Sequence, residues 1–518
     1  MPPISGPTSR PLRIEGKFAE YLDQRLTAWS PAGSSYGEFQ RRYYYDLPGF
    51  VLDCFYWPKG EGPALYQANI LSSLFENRRT CVRGPHGLGK TALASWAILH
   101  FALTRDGQDW KCITTASAWR QLTKYLWPEV HKWVRRLRWN AIGRAPFDRR
   151  RELLQMSLKL NTGEAFAVAS DDPSLIEGAH ADCLLYIFDE AKVVPGATFD
   201  AAEGAFAGTG RGEAYALAIS TPGEPNGRFY DIQTRKPGYE DWAAIHVTLE
   251  DAIDAGRVPR DWAEQRKRQW GETSAVYQNR VLGEFASSRE DGLVPLAWLE
   301  QANDRWREWD DAGRPGELKA LGVDVGRGGD KSTIAEKWEW MVEGQPPRYA
   351  IAPLYRDGKP NTMSLTGRVA ALIRKWTCSA AVDVIGIGAG VVDRLGEMGL
   401  SVFAFNASAR ADGLDRAGLM GFANKRSQGW WSLRELLDPD NGEWVALPPD
   451  DLLTGDLTAP HWRIQSGGKI AVESKDDIRK RIGRSTDDGD AVMMAFQAPA
   501  DNGLFAWEAD KDGGDDDF

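Results

Sequence analysis

Eight consecutive residues, Gly84-Pro-His-Gly-Leu-Gly-Lys90-Thr91, fit the pattern G-x-x-x-x-G-K-[ST] in full. Such a run is a phosphate cradle. Gly84, Gly87 and Gly89 let backbone amides close around anionic oxygens, Lys90 neutralises the β- and γ-phosphates, and Thr91 holds Mg²⁺. A short apolar strand ahead of it and the apolar helix "TALASWAILHFAL" behind it put a helix N-terminus at the phosphates. A matching acid site follows at the end of "CLLYIFDEA". There Asp189 is placed to hold Mg²⁺ and Glu190 to take a proton from an attacking water. A third apolar run, "ALAISTPGEPNG", ends on Ser220 and Thr221. These hydroxyls either sense a γ-phosphate or open a Pro-Gly turn. Upstream, Gln67 in "ALYQANILSSLF" is either a reader of the adenine edge or an ordinary surface glutamine.

A second set of acids stands far downstream. Asp324 ends the apolar stretch "LGVD", Asp383 ends "SAAVD", and "STDDGDAVMMAF" sets Asp487 and Asp490 before an apolar helix. Carboxylates brought close repel each other, and divalent cations relieve the repulsion. Two such ions (Mg²⁺ or Mn²⁺) about 3.5–4 Å apart catalyse attack of water on a phosphodiester. Asp487 and Asp490 lie three apart, so both can face one ion, and which is the primary ligand stays open. Asp330 is a possible extra ligand. Lys475 can reach either the metal site or a DNA phosphate, and Arg479, Lys480 and Arg484 can line a DNA path. Each acid taken singly is more often a cap or turn residue, and Asp487 alone could equally cap the helix that follows.

These residues need elements to carry them. The alternation of short apolar runs with helical stretches predicts an α/β domain with a mostly parallel sheet over 51–288 and a second αβ domain over 319–498. Residues 1–50 are expected to be an N-terminal extension, 289–318 a linker or hinge, and 499–518 an acidic disordered tail. The second domain is expected to open with a strand at Ala320–Val325, a hairpin over Thr333–Val342 and Arg348–Leu354, a helix near Leu365–Trp376 and a strand at Ala380–Ile385.

Length and composition bound the rest. A chain of 518 residues with 42% hydrophobic content predicts two or three cores. No apolar run approaches a membrane span, and the N-terminus has no apolar signal core, so neither membrane insertion nor secretion is expected. Five scattered cysteines without a C-x-x-C pair predict neither a disulfide framework nor a zinc ribbon. The net charge of −10 counts against a nucleic-acid partner at first sight. The tail "EADKDGGDDDF" carries half of it, and basic runs such as "KWVRRLRWNAIGR", "FDRRR" and "DDIRKRIGR" read either as phosphate-binding surface or as solvated helix faces.

Together, "LYQANIL", "GPHGLGKT", "LLYIFDEA", "STPGEPNGRFYD", "GVDVG", "AAVDVIGIGAG", "NKRSQGWWSLREL" and "SKDDIRKRIGRSTDDGDAV" resemble the large terminase subunit of tailed bacteriophages over about residues 50–498. The most specific stretch is the D-x-x-D of Asp487 and Asp490, which is similar to the opening of the last helix in RuvC-like nucleases. The resemblance implies an N-terminal P-loop (ASCE-type) ATPase domain and a C-terminal RNase H-like nuclease domain. Lys90 and Thr91 match the Walker A pair, Asp189 and Glu190 match Walker B and the catalytic glutamate, and Ser220–Thr221 match the coupling motif. Gln67 matches the adenine-side glutamine, and Asp324, Asp383 and Asp487/Asp490 match the nuclease acids. The resemblance further implies ATP with Mg²⁺ at one site and two Mg²⁺ or Mn²⁺ at the other. Double-stranded DNA, a portal protein, a small terminase subunit and a pentameric homo-oligomeric ring at the procapsid are its implied partners, in the host cytoplasm and outside the mature virion. Two positions depart from the family pattern. His86 stands where many large terminases carry an arginine, which leaves Arg135, Arg136, Arg138 and Arg144 as candidates for a finger supplied in trans. Ser485-Thr486-Asp487 stands where Ser-Pro-Asp is usual. Two rival functions remain: a helicase or remodelling ATPase with a non-catalytic RNase H-like DNA-binding module, and a small-molecule NTPase with an acidic accessory domain.

Overall fold

The computed structural model describes residues 35–499, except 59–60, 117, 170–175, 177, 179, 208–212, 287–290, 327–330, 359–360 and 466–467. The chain forms two compact units, Met1–Arg260 with Leu282–Phe285, and Asp261–Val281 with Ala286–Phe518. These divisions differ from the expected boundaries for identifiable reasons. The segment 261–281 joins the second unit, where Trp270 Nε1 donates to the Asp451 carbonyl at 2.8 Å. The expected linker contains the helix Leu296–Asp311, whose Leu299, Ala302, Trp306 and Trp309 are buried. Its Asn303 and Trp306 donate to the carbonyls of Leu447 and Ile351 at 2.9 and 2.7 Å. Likewise the described part of the expected extension packs into the first unit, with Phe39 and Phe50 buried and Tyr36 donating to the Leu103 carbonyl.

The first unit is built on seven strands: β1 (Arg79–Arg83), β2 (Trp110–Ala116), β3 (Ser157–Lys159), β4 (Gly163–Ala169), β5 (Cys183–Asp189), β6 (Glu213–Ser220) and β7 (Ala243–His246). Their order is β3-β4-β2-β5-β6-β1-β7, and all pairings are parallel except β3 with β4. Every residue of β5 is buried, as a strand covered on both faces by helices requires. The order inserts β6 between the phosphate-loop strand β1 and the acid-bearing strand β5, as ASCE-type ATPases do. The register sets Ser220 level with Arg83 and Asp189 level with Ile219. The phosphate loop, the acid pair and the hydroxyl pair therefore leave the sheet side by side at its carboxyl edge, where open α/β sheets bind ligands.

The second unit holds β8 (Glu317–Asp324), β9 (Ser332–Trp340), β10 (Arg348–Ile351), β11 (Tyr355–Asp357), β12 (Ser379–Asp383), β13 (Val402–Phe405) and β14 (Trp444–Ala446). Strands β8, β9 and β10 form an antiparallel meander, and β12 and β13 extend the sheet parallel to β8, in the order β13-β12-β8-β9-β10-β14. This is the RNase H-like arrangement, and the α/β class of both units agrees with the sequence. Leu321, Val323, Ile334 and Val382 face one core with Val369 and Val391, while Ala320 and Ala381 face a second with Trp430, Val492 and Met493. A further hairpin pairs β15 (Trp462–Ile464) with β16 (Ile470–Val472). The helix Asp487–Ala495 lies directly on β8 because Gly322 has no side chain: a Cβ there would run into the Ala491 carbonyl and the Ala495 amide. Close approach two residues before Asp324 is what brings the acids of that helix to the strand end.

All five cysteines are buried free thiols. Among the described residues no helix is long and apolar enough to cross a membrane.

Candidate functional site

The phosphate loop leaves β1 and turns twice through left-handed glycines, Gly87 (φ 85°) and Gly89 (φ 73°), before the helix Lys90–Arg105. These conformations cost glycine little and other residues about 1–2 kcal/mol. Gly84 is enclosed instead. A Cβ would meet the Leu88 side chain at 2.5 Å and the Val247 carbonyl at 2.8 Å. Lys90 Nζ donates to the Pro85 carbonyl at 2.8 Å, so its ammonium hangs over the loop. Burial pulls its pKa down to about 8 against the pull of Glu190 and Asp189. An incoming polyphosphate would pull it back up. Asp189 is buried, and burial followed by the neighbouring Glu190 pushes it up to about 7. A carboxylate so placed fits a divalent cation, which would relieve both terms. Glu190 takes a left-handed conformation (φ 48°), a strain typical of sites where geometry is over-determined. Its Oε2 accepts a hydrogen bond from Ser220 Oγ at 3.1 Å. The hydroxyl pair is thus wired to the acid pair, with Ser220 and Thr221 both buried.

In the second unit three acids converge on one lysine. Lys475, first residue of the helix Lys475–Ile482, places Nζ 3.1 Å from Asp324 Oδ2, 3.0 Å from Asp487 Oδ1 and 3.6 Å from Asp490 Oδ2. All three acids are buried. Burial, opposed by Lys475, raises Asp324 well above the carboxylate range. Burial acts the same way on Asp487, but Lys475 and the Ser485 hydroxyl outweigh it and hold that carboxyl low. The three carboxylates drive the Lys475 ammonium well above the ordinary lysine range, against burial. Asp490 is fixed further by Trp430 Nε1 at 2.8 Å, Thr486 Oγ1 at 2.9 Å and the Arg426 guanidinium at 3.2 Å. Three clustered carboxylates form an all-oxygen donor set that suits Mg²⁺ or Mn²⁺. Among the described residues no such group stands ready around a single point, because the three acids are turned toward the ammonium.

No protein-family model matches the chain. It is 26% identical over 480 residues to a protein of Enterobacteria phage P7 described as a probable terminase, large subunit, a match covering 86% of this chain and 90% of that one. The chain is a homologue of a terminase large subunit. Among solved structures it is similar to the large terminase of a thermophilic bacteriophage, at 14% identity over 84% of this chain and 98% of that one, with a TM-score of 0.39. It is also similar to the nuclease domain of the large terminase subunit of bacterial virus Sf6, at 20% identity over 40% of this chain and 99% of that one, with a TM-score of 0.32. At such scores neither structure assigns a role to any residue here.

The terminase-like motifs do not all sit where the sequence put them. Gln67 is buried rather than a surface residue, and its amide is engaged at both ends. Its Nε2 donates to the Leu88 carbonyl at 2.9 Å and its Oε1 accepts from the Ala64 amide at 2.9 Å. It braces the phosphate loop from behind in this structure and does not present a free edge to adenine. Asp383 lies one register step past the Val382–Val323 pair, on the strand beside Asp324. Its Oδ1 accepts from the Ile385 amide at 2.9 Å, and it is not among the acids that Lys475 gathers. Asp330 lies outside the described residues, as does the tail from 500 onward. Arg484, expected on a DNA path, is turned inward onto Asp456 and the Gln269 carbonyl. Arg479 and Lys480 are exposed. Of the finger candidates, Arg138 donates to the Asp53 carbonyl, Arg144 pairs with Glu152 at 2.6 Å, Arg136 lies over the Trp133 ring and Arg135 is exposed. Asp488 belongs to a different network: its carboxylate accepts from Thr333, Lys331 and Arg356 at 2.9–3.0 Å. Sequence reasoning missed Asp456 altogether, since nothing in "LLTGDLTAP" marks it out.

Proposed function

We propose that this chain is the motor and nuclease of a viral DNA-packaging machine, hydrolysing ATP to drive double-stranded DNA into a procapsid and cutting concatemeric DNA with a metal-dependent endonuclease. The observation that carries the proposal is the presence in one chain of a complete phosphate loop beside an acid pair bonded to Ser220 and, at the end of an RNase H-like strand and the helix packed on it, three acids gathered on one lysine. The relationship to a terminase large subunit supports it.

In the first unit Lys90 binds the β- and γ-phosphates, and Thr91 and Asp189 would hold Mg²⁺. Glu190 Oε2 takes the proton of the attacking water. Ser220, bonded to that same oxygen, reports the change to the strand end and the loop that follows. In the second unit Asp324, Asp487 and Asp490 would hold the metal, joined by Asp383 from the adjacent strand if its turn opens. Divalent metal there supplies Lewis-acid activation of the phosphodiester and of water. Double-stranded DNA, a portal protein, a small terminase subunit and a homo-oligomeric ring are the partners this function requires. Its place would be the bacterial host's cytoplasm and, transiently, the procapsid portal.

Plasmid cleavage by the purified chain in Mn²⁺ or Mg²⁺ against EDTA, for wild type and Asp324→Ala, tests the nuclease half. DNA-stimulated ATP hydrolysis by wild type and Lys90→Ala tests the motor half. Metal-dependent cutting lost in Asp324→Ala, with hydrolysis lost in Lys90→Ala, is the expected result. ATP hydrolysis with no cutting in any metal would favour a remodelling ATPase with a DNA-binding second unit.

A further inference from the structure

The helix that carries Asp487 and Asp490 starts without a cap of its own. Thr486 occupies the N-cap position, where a threonine hydroxyl ordinarily accepts from the first amides of the helix. Here its Oγ1 donates instead to Asp490 Oδ2 at 2.9 Å. The first amides are served from another helix, Asp451–Thr458. Its Asp456 accepts from the Asp488 amide at 2.9 Å and the Gly489 amide at 3.2 Å, both through Oδ2. Its Oδ1 accepts from Arg484, which also donates to the Ser485 carbonyl just ahead of the helix. Asp456 is 1% exposed. Gly489 permits the approach: a Cβ there would stand 2.8 Å from the Trp430 ring and 3.1 Å from Asp456 Cβ.

A buried carboxylate is costly unless it is paired and hydrogen-bonded, and this one is both. It satisfies two of the four amides that every helix leaves unpaired, and its charge suits the positive end of the helix. The effect reaches the acids. Asp487 and Asp490 occupy the same first turn, so the rotation of that turn sets the direction of both. With Thr486 given over to Asp490, the Asp456 carboxylate is what accepts from the backbone amides of that turn, while the contacts of Asp488 and Asp490 hold side chains.

We propose that Asp456 is a positioning residue for the metal-binding acids, fixing the first turn of the Asp487–Ala495 helix so that both of its acids face Asp324. This rests on the nuclease function proposed above.

The test is Mn²⁺ binding to the full chain by titration calorimetry in wild type, Asp324→Ala, Asp456→Ala and Asp456→Asn, with melting temperature and nucleotide affinity measured alongside. Asp324→Ala identifies the binding event that belongs to this site. Asp456→Ala is expected to weaken that event about 10–100-fold, as loss of an outer support of a metal site does, with nucleotide affinity unchanged. Asp456→Asn keeps an oxygen acceptor for both amides and is expected to stay within about threefold of wild type, a small step on the same scale. Unchanged Mn²⁺ affinity in Asp456→Ala beside a lowered melting temperature would make Asp456 a purely structural residue and overturn the proposal. So would a tenfold or larger loss in Asp456→Asn, because the ion pair with Arg484 would then matter and the cap would not. If Asp456→Ala does not fold, the asparagine variant decides alone. A wild type with no Asp324-dependent binding would overturn the nuclease function and, with it, this role. That outcome shows itself before any Asp456 variant is compared.

Discussion

Lys475 is the cation that Asp324, Asp487 and Asp490 hold, so if these acids are the proposed metal ligands, replacing it should make metal binding easier. Its Nζ lies 3.0–3.6 Å from three carboxylates. One such pair is worth about 4 kcal/mol at an effective dielectric of 20, and removing one partner of a buried pair typically costs about 3–5 kcal/mol. The lower end applies here. The side chain is 33% exposed, and the acids can take up a proton once the ammonium is gone. Lys475→Ala should therefore destabilise the second unit by about 3 kcal/mol in EDTA, which lowers its melting temperature by roughly 6–12 °C. The same interaction must be broken in wild type before a metal can bind. Removing it in advance should tighten Mn²⁺ binding by up to about 100-fold. The assay is a thermal melt in EDTA paired with Mn²⁺ titration calorimetry, with Asp324→Ala as the control. The lost stability and the gained metal affinity are two views of one interaction and should share its sign and scale, with a difference of about 0.5–3 kcal/mol expected because the residues belong to one network. Equal or weaker Mn²⁺ affinity in Lys475→Ala would refute the idea that the ammonium and the metal compete for these carboxylates.

Three further outcomes concern the ATP site. Glu190→Ala should cut ATP turnover by about 10²–10⁴-fold, and Ser220→Ala by about tenfold, since the serine holds the oxygen that takes the proton; steady-state hydrolysis with unchanged nucleotide affinity checks both. Gly283→Ala should weaken nucleotide binding while leaving Mn²⁺ binding intact, because Gly283 has φ 70° and a Cβ there would stand 2.7 Å from Gly84 Cα at the start of the phosphate loop. A fluorescent-nucleotide titration with no change would remove that contact from the account. Without nucleotide or metal, stability should fall as pH rises from about 4 to 7. Folding raises Asp189 from 3.8 to about 7, so the folded state binds the extra proton in that window, and up to about 4 kcal/mol is lost once the group ionises. Asp189→Asn should flatten the curve, and parallel melting-temperature profiles for variant and wild type would count against the shift.

The parts of these sites that were legible are those where chemistry and sequence lie close together. The phosphate loop is eight contiguous residues, and the acids at 189, 324 and 383 announce themselves because an apolar strand runs straight into them. The missing part acts across a long separation. Whereas Lys475, just ahead of the last acids, was legible as able to reach the metal site or a DNA phosphate, Asp456 reaches an amide 32 residues on, so no local pattern records the contact. Gln67 was open to two readings for the same reason: what its amide meets is the Leu88 carbonyl, which only the folded loop brings near. The segment 289–318 is different, because its signal was present. Leu296, Leu299, Ala302, Asn303, Trp306 and Trp309 recur at helical spacing and are all buried, while the charged residues between them left it readable as a linker or a small helical hinge.

Each site contains a lysine facing acids, and the two lysines differ in a way that orders the activities. Lys90 bonds to the Pro85 carbonyl rather than to Asp189 or Glu190, and burial leaves it short of negative charge. It therefore favours an anionic ligand, and such a ligand arrives with Mg²⁺ already bound to its phosphates. Lys475 has no such need, because its own three carboxylates satisfy it. A metal ion at the Asp324 cluster must compete with that ammonium, whereas Lys90 acts on Asp189 through its field while its Nζ is bonded to the Pro85 carbonyl. Raising free Mn²⁺ stepwise should thus support ATP hydrolysis at concentrations well below those that support DNA cutting. In Lys475→Ala the two thresholds should draw together, by a factor no larger than the roughly 100-fold gain in affinity worked out above. Parallel metal titrations of hydrolysis and plasmid cleavage measure both thresholds in one preparation. Coincident thresholds in the wild type would mean that the ammonium gives way without cost, and the ordering would have to come from elsewhere in the chain.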